Sequence, residues 1–229
     1  MFTIPRNFVR VALLITGILV LVSYAVGAIR MESPMDLWGG IPNSWIPFIL
    51  VFMGLAVIGF LVFTWFFLFQ WAPEAVDSVV WPWQKYEHQF NEQNSEQNEQ
   101  NCEQNEQTGL STRINNSGGG FAKLLMAYLL FLIPSMFWLE LTALHMEMKT
   151  TWTQVLVIGS LWLVCFGNIL MILLAFSAHR QKIAPHTIWP LIGTIFLGIQ
   201  CIINDGIIWN IKFLWKISQF FALLDKIST

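Results

Sequence analysis

The stretch that decides the fold is residues 46–69, IPFILVFMGLAVIGFLVFTWFFLF, which runs for 24 residues without a charged side chain. A helix rises 1.5 Å per residue, so this stretch would be about 36 Å long, more than the roughly 30 Å of hydrocarbon in a bilayer. In lipid, backbone N–H and C=O groups must be bonded within their own segment, which a helix achieves and an isolated strand does not. The stretch therefore predicts a transmembrane helix.

The rest of the chain has the same character. Of its 229 residues, 55% are hydrophobic and 11% are charged, whereas soluble domains carry about 25% charged residues. Further apolar runs predict spans at Val11–Ile29, Leu124–Leu144 and Val155–Phe176. A shorter run predicts a fifth span at Thr187–Ile203. We therefore predict an all-α fold, a polytopic transmembrane helical bundle of five or six spans arranged as hairpins. The chain is expected to be an integral, multi-pass membrane protein embedded in the lipid bilayer.

The number of spans depends on the C-terminal apolar segment, Ile207–Leu224. The preceding Asn204-Asp205-Gly206 predicts a turn, because Gly tolerates positive φ and Asp bonds to nearby backbone groups. Lys212 and Lys216 would cost roughly 5 to 7 kcal/mol inside a span, which favours a helix lying on the headgroups. A sixth span would instead leave nearly all loop Lys and Arg on the side of the N-terminus, as the positive-inside rule favours. Five and six spans both stay open, and the N-terminus is predicted to be cytoplasmic.

A long hydrophilic region divides the chain. We expect a first transmembrane hairpin at residues 1–71, a hydrophilic loop at 72–120, and a second hairpin with the C-terminal helices at 121–229. Within the loop, NEQNSEQ at 91–97 is repeated as NEQNCEQ at 98–104. No position of this repeat is apolar, so we expect a disordered, low-complexity acidic tether on the cytoplasmic side. The sequon Asn115-Asn116-Ser117 would report on that side.

The first apolar run has a second interpretation. Arg6 and Arg10 resemble the basic start of a signal peptide, and Val26-Gly27-Ala28 resembles a cleavage site, so residues 1–28 could be removed. The run of 19 residues from Val11 to Ile29 exceeds the usual 7–15 of a signal core. We therefore expect the first helix to be retained.

Polar side chains within the apolar segments are the candidate functional residues, because a charge in hydrocarbon is costly and is usually paired or functional. They are Glu140, Asn168, Gln200, Lys212 and Lys216. Two interpretations are open: interhelical bonds and ion pairs that hold the bundle together, or a pathway for a solute or ion. Counted inward from the loops at 1.5 Å per residue, Glu140 and Lys212 lie at about equal depth, which predicts an ion pair between them.

The sequence carries no recognisable catalytic motif. It lacks Gly-x-Ser-x-Gly, His-Glu-x-x-His and Cys-x-x-Cys. His145 and Glu147 would suit a metal site, but a solvated loop pair is the simpler interpretation. Twelve Lys and Arg against fourteen Asp and Glu leave a net charge of −2 and no basic surface for nucleic acid. We expect no enzyme activity, no cofactor and no catalytic or metal-binding residues.

One resemblance can be named. Asp205-Gly206-Ile207-Ile208-Trp209, Ser160-Leu161-Trp162 and the helix from Ile133-Pro134-Ser135-Met136-Phe137 through Glu140 and His145 resemble segments of the fragile-X-F-type transmembrane family. The resemblance implies a non-enzymatic multi-pass protein and no site residues.

The sequence as a whole favours a non-catalytic accessory, scaffolding or assembly component of a membrane complex, with other membrane proteins as partners. The alternative is a small solute or ion transporter or channel subunit that uses Glu140, Lys212 and Lys216.

Overall fold

The computed structural model describes residues 4–30, 38, 41–83 and 119–211. These residues form α1 (Arg6–Arg30), α2 (Ile46–Trp65) with a π-turn (Phe66–Gln70), α3 (Pro73–Asp77), α4 (Gly120–Met148), α5 (Thr151–Gln181) and α6 (Ile188–Gly198) with a π-helix (Ile199–Trp209). Within the described ranges, five helices are long and apolar enough to cross a membrane. The predicted fold is confirmed: the chain is an all-α, integral multi-pass membrane protein whose spans pack as adjacent hairpins.

The hairpin of α4 and α5 forms the centre of the bundle. The two helices are separated by Lys149 and Thr150 and pack along their length, with Gly167 of α5 against the backbone of Phe131. A Cβ on Gly167 would lie 2.5 Å from the Phe131 nitrogen, so only glycine permits this approach. Around this centre, α1 packs on α4, α6 packs on α5, and α2 packs on α6.

Successive spans run in opposite directions, which sorts the charged residues between two ends of the bundle. Arg30 at the end of α1 contacts Glu140 near the end of α4. At the other end, the Trp71 indole donates to the carbonyl of Pro185. We name this second end the basic end, because it carries most of the described Lys and Arg: Arg6, Arg10, Lys123, Arg180 and Lys182. The opposite end carries Arg30 and Lys149.

The chain after α2 closes the basic end. Val76 and Val79 are buried, and Lys123 Nζ donates to the Val79 carbonyl at 2.8 Å. The Val80 carbonyl accepts hydrogen bonds from Ser177 and from Gln181 of α5. Residues 71–83, which we name the closing segment, are therefore part of the packed bundle.

The turn expected at Asn204-Asp205-Gly206 is wrong. The helix that begins at Ile188 continues through these residues to Trp209, so the fifth span is 22 residues long. Gly206 does not have positive φ; it allows close contact, since a Cβ there would lie 2.6 Å from Cys165 Sγ. Helical geometry persists here because the glycine faces a neighbouring helix instead of reversing the chain.

Several predictions concern residues outside the described ranges. These include Lys212 and Lys216, the repeat at residues 91–107, and the sequon at Asn115; of the predicted sixth span, Ile207–Leu224, only residues 207–211 are described, and they continue the helix of the fifth span. They stay predictions.

Candidate functional site

Polar side chains line one face of the π-helix and of the residue that follows it, Asn210. Gln200, Asn204, Asp205 and Asn210 recur at spacings of four and five residues, and residues five apart share a face when hydrogen bonds run from i to i+5. Gln200 Nε2 donates to Asp205 Oδ1 at 2.9 Å, and Asn204 Nδ2 donates to Gln200 Oε1 at 3.0 Å. We name these four residues the polar face; three of them form a chain of side-chain hydrogen bonds within the fifth span.

The polar face points into the bundle. Gln200, Asn204 and Asn210 are buried, and Asp205 is half-buried. Asn210 Nδ2 donates to the Gly206 carbonyl at 2.8 Å and to the Asp205 carbonyl at 3.3 Å. The Asn210 side chain therefore bonds back onto carbonyl groups of the π-helix that precedes it.

Helix α5 holds the π-helix against the bundle. Cys165 Sγ donates to the Cys201 carbonyl at 3.0 Å, and the absence of a side chain on Gly206 makes room for that thiol. π-Helical geometry is rare and occurs frequently at functional sites. Its coincidence with the polar face makes this region the leading candidate site.

Asp205 is the acid at the centre of the site. Among the residues that the structure describes, it forms a hydrogen bond with Gln200 and no ion pair. Tyr24 of α1 and Cys165 of α5 are close enough to interact with it electrostatically. A carboxylate beside amide groups in a span can bind a proton or a single positive charge, which would reduce its cost in a low-dielectric medium.

Asn168 lies close to the polar face without joining it. Its side chain is fully buried, and its amide oxygen lies 3.0 Å from the position a Cβ on Gly198 would occupy. Over residues 4–30, 38, 41–83 and 119–211, neither polar atom of this amide has a hydrogen-bond partner. Gln200 and Asn168 are thus both in the bundle interior, but no hydrogen bond connects them.

Glu140 belongs to a different part of the molecule. Arg30 Nη1 lies 3.1 Å from Glu140 Oε2, and the two side chains are 68% and 33% exposed. This ion pair connects α1 to α4 at the end of the bundle opposite the basic end. The predicted partner, Lys212, lies outside the described residues, so that pair is untested.

The histidines at two helix connections are bonded to threonines eight residues later. His145 Nδ1 is 2.8 Å from Thr153 Oγ1, and His179 Nδ1 is 3.0 Å from Thr187 Oγ1. Each contact ties the end of one helix to the start of the next. His145 is buried, which differs from the solvated loop pair that the sequence suggested. In the described part of the chain, no three His, Cys, Asp or Glu residues form a group that could hold a metal ion.

Sequence reasoning found Gln200 but missed Asp205 as part of the site, because Asp before Gly is typical of a turn. The spacing of Gln200, Asp205 and Asn210 at intervals of five is the signal that would have identified a common face.

No protein family, curated protein or solved structure matches this chain. The resemblance to the fragile-X-F-type transmembrane family therefore stays an expectation.

Proposed function

We propose that this multi-pass membrane protein is a non-catalytic accessory, scaffolding or assembly component of a membrane complex. The supporting observation is that several polar groups within its spans, though not Asn168, bond to groups of the same chain. Glu140 pairs with Arg30, and buried Tyr128 donates to Thr64 Oγ1 at 3.0 Å. Such bonds each contribute a modest 0.6 kcal/mol or so in membrane bundles. Their arrangement suits a stable helical body.

The outward surface of that body suits contact with other membrane helices. Helix α1 is a full-length span of 25 residues, yet only 6% of the residues in its apolar stretch are buried against the rest of the chain. Leu14 and Leu21 lie seven residues apart on this helix and are both exposed. Helices associate in membranes through close packing of such faces, so α1 is the surface where we expect a partner.

The test is purification of the full chain from its native membranes in a mild detergent. We expect a second membrane protein to elute with it at a fixed ratio. The double variant Leu14→Ala, Leu21→Ala should reduce that ratio several-fold, because it removes apolar contact area from the exposed face of α1. The matched control is the double variant Leu156→Ala, Leu163→Ala, which makes the same change at two exposed positions seven residues apart on α5. Elution of the chain without any stoichiometric partner would contradict the proposal.

The polar face favours a second candidate, a small ion or solute transporter. Here Asp205, held by Gln200, would be the group that binds the transported or coupled cation. The test is cation-dependent flux in proteoliposomes that contain the purified chain. Flux that is abolished by Asp205→Asn and retained by Glu140→Gln would favour transport over the accessory function.

A further inference from the structure

The carbonyl of Leu68, at the end of the π-turn, has no partner from its own helix. The chain leaves helical geometry at Trp71, which has ψ of 150°. The residue five positions after Leu68 is Pro73, which has no N–H to donate. The carbonyl is therefore one of the acceptors that a helix end must satisfy by other means.

Two arginines of α1 satisfy this one acceptor. Arg6 Nε donates to the Leu68 carbonyl at 2.5 Å, and Arg10 donates to it through Nε at 3.0 Å and Nη2 at 2.5 Å. The donor nitrogens of the two side chains are thus no more than about 5 Å apart. Two full positive charges share a neutral acceptor, which orients both guanidinium groups without neutralising either.

The charge of this pair is not balanced by a nearby acid in the described residues. No carboxylate there lies within ion-pair distance of Arg6 or Arg10. Glu74 is close enough to interact electrostatically with Arg6, but it is exposed and forms no ion pair. Arg6 Nη2 is buried and has no hydrogen-bond partner in the described part of the chain. The described chain therefore leaves the hydrogen-bonding capacity of the Arg6 guanidinium group incompletely satisfied.

The position of the pair indicates which anion fits. Arg6 begins α1, and Leu68 lies near the end of the second span, so the guanidinium groups lie where spans meet the headgroups. Arg10 also lies over the ring of Phe69, at 4.7 Å from its centroid. Exposed apolar side chains extend from this level toward the bilayer centre on both spans: Val11 and Ile15 on α1, Leu61 and Trp65 on α2, and Phe69 in the π-turn. A ligand with a phosphate and long acyl chains matches both parts of this surface.

We propose that Arg6 and Arg10 form a binding site for the phosphate of an anionic phospholipid at the basic end of the bundle. Guanidinium groups bind phosphate oxygens through paired, charge-assisted hydrogen bonds. Basic pockets between spans are known to take anionic headgroups on the cytoplasmic side of membranes. The lipid supplies the negative charge that the described chain does not place on the pair.

The test compares three probes on the purified full chain in detergent: dioleoyl phosphatidylglycerol, dioleoyl phosphatidylcholine and inorganic phosphate. Native mass spectrometry counts retained lipids, and thermal unfolding measures stabilisation. We expect phosphatidylglycerol to be retained on the order of tenfold more than phosphatidylcholine, and to raise Tm where phosphatidylcholine does not. Inorganic phosphate should not reproduce the shift, because it lacks the acyl chains.

The variants Arg6→Gln and Arg10→Gln, combined, should remove the preference for phosphatidylglycerol. Arg180→Gln is the matched control: it removes one positive charge at the same end, from a side chain that donates to the Pro82 carbonyl. Should the double variant not fold, Arg10→Lys keeps the charge but loses the planar fork, and its preference should fall by several-fold.

Equal retention of the two lipids by the native chain would overturn the proposal without any variant. An equal loss of preference in Arg180→Gln would show a diffuse charge effect instead of a site. Stabilisation by inorganic phosphate that matches phosphatidylglycerol would assign the pair to a free anion, and would also overturn it.

Discussion

At the scale of single residues, Arg30 and Glu140 form the ion pair found in the described part of the chain. Both lie near the end of a span, where water reduces the cost of a charge, and Arg30 is mostly exposed. Ion pairs in such surroundings contribute about 0.2 to 1 kcal/mol. Glu140 is thus explained by its contact with α1.

A double-mutant cycle tests this explanation. Arg30→Gln and Glu140→Gln should each lower the free energy of unfolding, and the double variant should lose less than their sum by about 0.5 kcal/mol. The measurement is the unfolding midpoint in mixed micelles with increasing dodecyl sulfate. The parallel cycle of Glu140→Gln with Lys212→Met should be additive. A non-additive effect in the second cycle, with additive effects in the first, would show that Glu140 pairs with Lys212 and not with Arg30.

At the scale of helices, the contact between α2 and α6 depends on two glycines. A Cβ on Gly59 would lie 2.2 Å from the Gly193 carbonyl oxygen, and a Cβ on Gly193 would lie 2.6 Å from the Gly59 oxygen. Both obstructing atoms belong to backbone, which cannot move aside as a flexible side chain can. Small residues at the crossing of two spans allow this approach.

Gly59→Ala should therefore separate α2 from α6 and lower the free energy of unfolding by about 1 to 3 kcal/mol. Gly54→Ala, on the same helix, is the matched control, because a Cβ at Gly54 meets nothing within 4 Å. That control should leave stability unchanged or slightly raised, since alanine favours helix more than glycine does. Unfolding midpoints of the two variants, measured side by side, decide the matter; equal midpoints would show that the crossing tolerates a methyl group.

The long apolar helices could be predicted from sequence because their cause is local: an apolar run of span length must be helical in lipid. Helix α2 with its π-turn covers the predicted Ile46–Phe69, and α4 contains the predicted Leu124–Leu144. The site could be predicted only in part. Gln200 stood out as an amide in an apolar run, but the role of Asp205 depends on the π-helix. Within that helix Gly206 lies against Cys165, 41 positions earlier in the chain, a contact that local sequence does not reveal.

The closing segment shows the same limit. Val76 and Val79 belong to the short stretch AVDSVV at residues 75–80, which is too short for a periodicity to mark a buried face. They are buried because Lys123, Ser177 and Gln181 supply donors to the carbonyl groups of this segment. Those donors come from other helices, so the sequence of the segment alone does not predict its packing.

At the scale of the whole molecule, the spans sort positive charge toward one end. The start of α1, the closing segment and the loop between α5 and α6 meet at the basic end. The positive-inside rule assigns such an end to the cytoplasm. We therefore expect the whole basic end, and not only the N-terminus, to lie on the cytoplasmic side.

Cysteine labelling tests that orientation. Single cysteines at exposed Glu74, on the basic end, and at exposed Glu147, on the opposite end, are introduced after Cys102→Ser; Cys165 and Cys201 are buried. In sealed vesicles with the cytoplasmic side inward, a membrane-impermeant maleimide should label Glu147→Cys directly and Glu74→Cys only after permeabilisation. The reverse pattern would invert the molecule. Labelling of both without permeabilisation would contradict alternating spans.

The close crossing of α2 and α6 also sets an order of events during biosynthesis. The two glycines are separated by 134 positions, so α2 enters the membrane long before its partner exists. At about 5 to 20 residues per second, a ribosome needs roughly 7 to 27 s to make the chain between them. During that interval the Gly59 surface of α2 faces lipid or an insertion factor, and a nascent chain released before Ile188 retains an unoccupied helix-binding surface for membrane quality control to recognise.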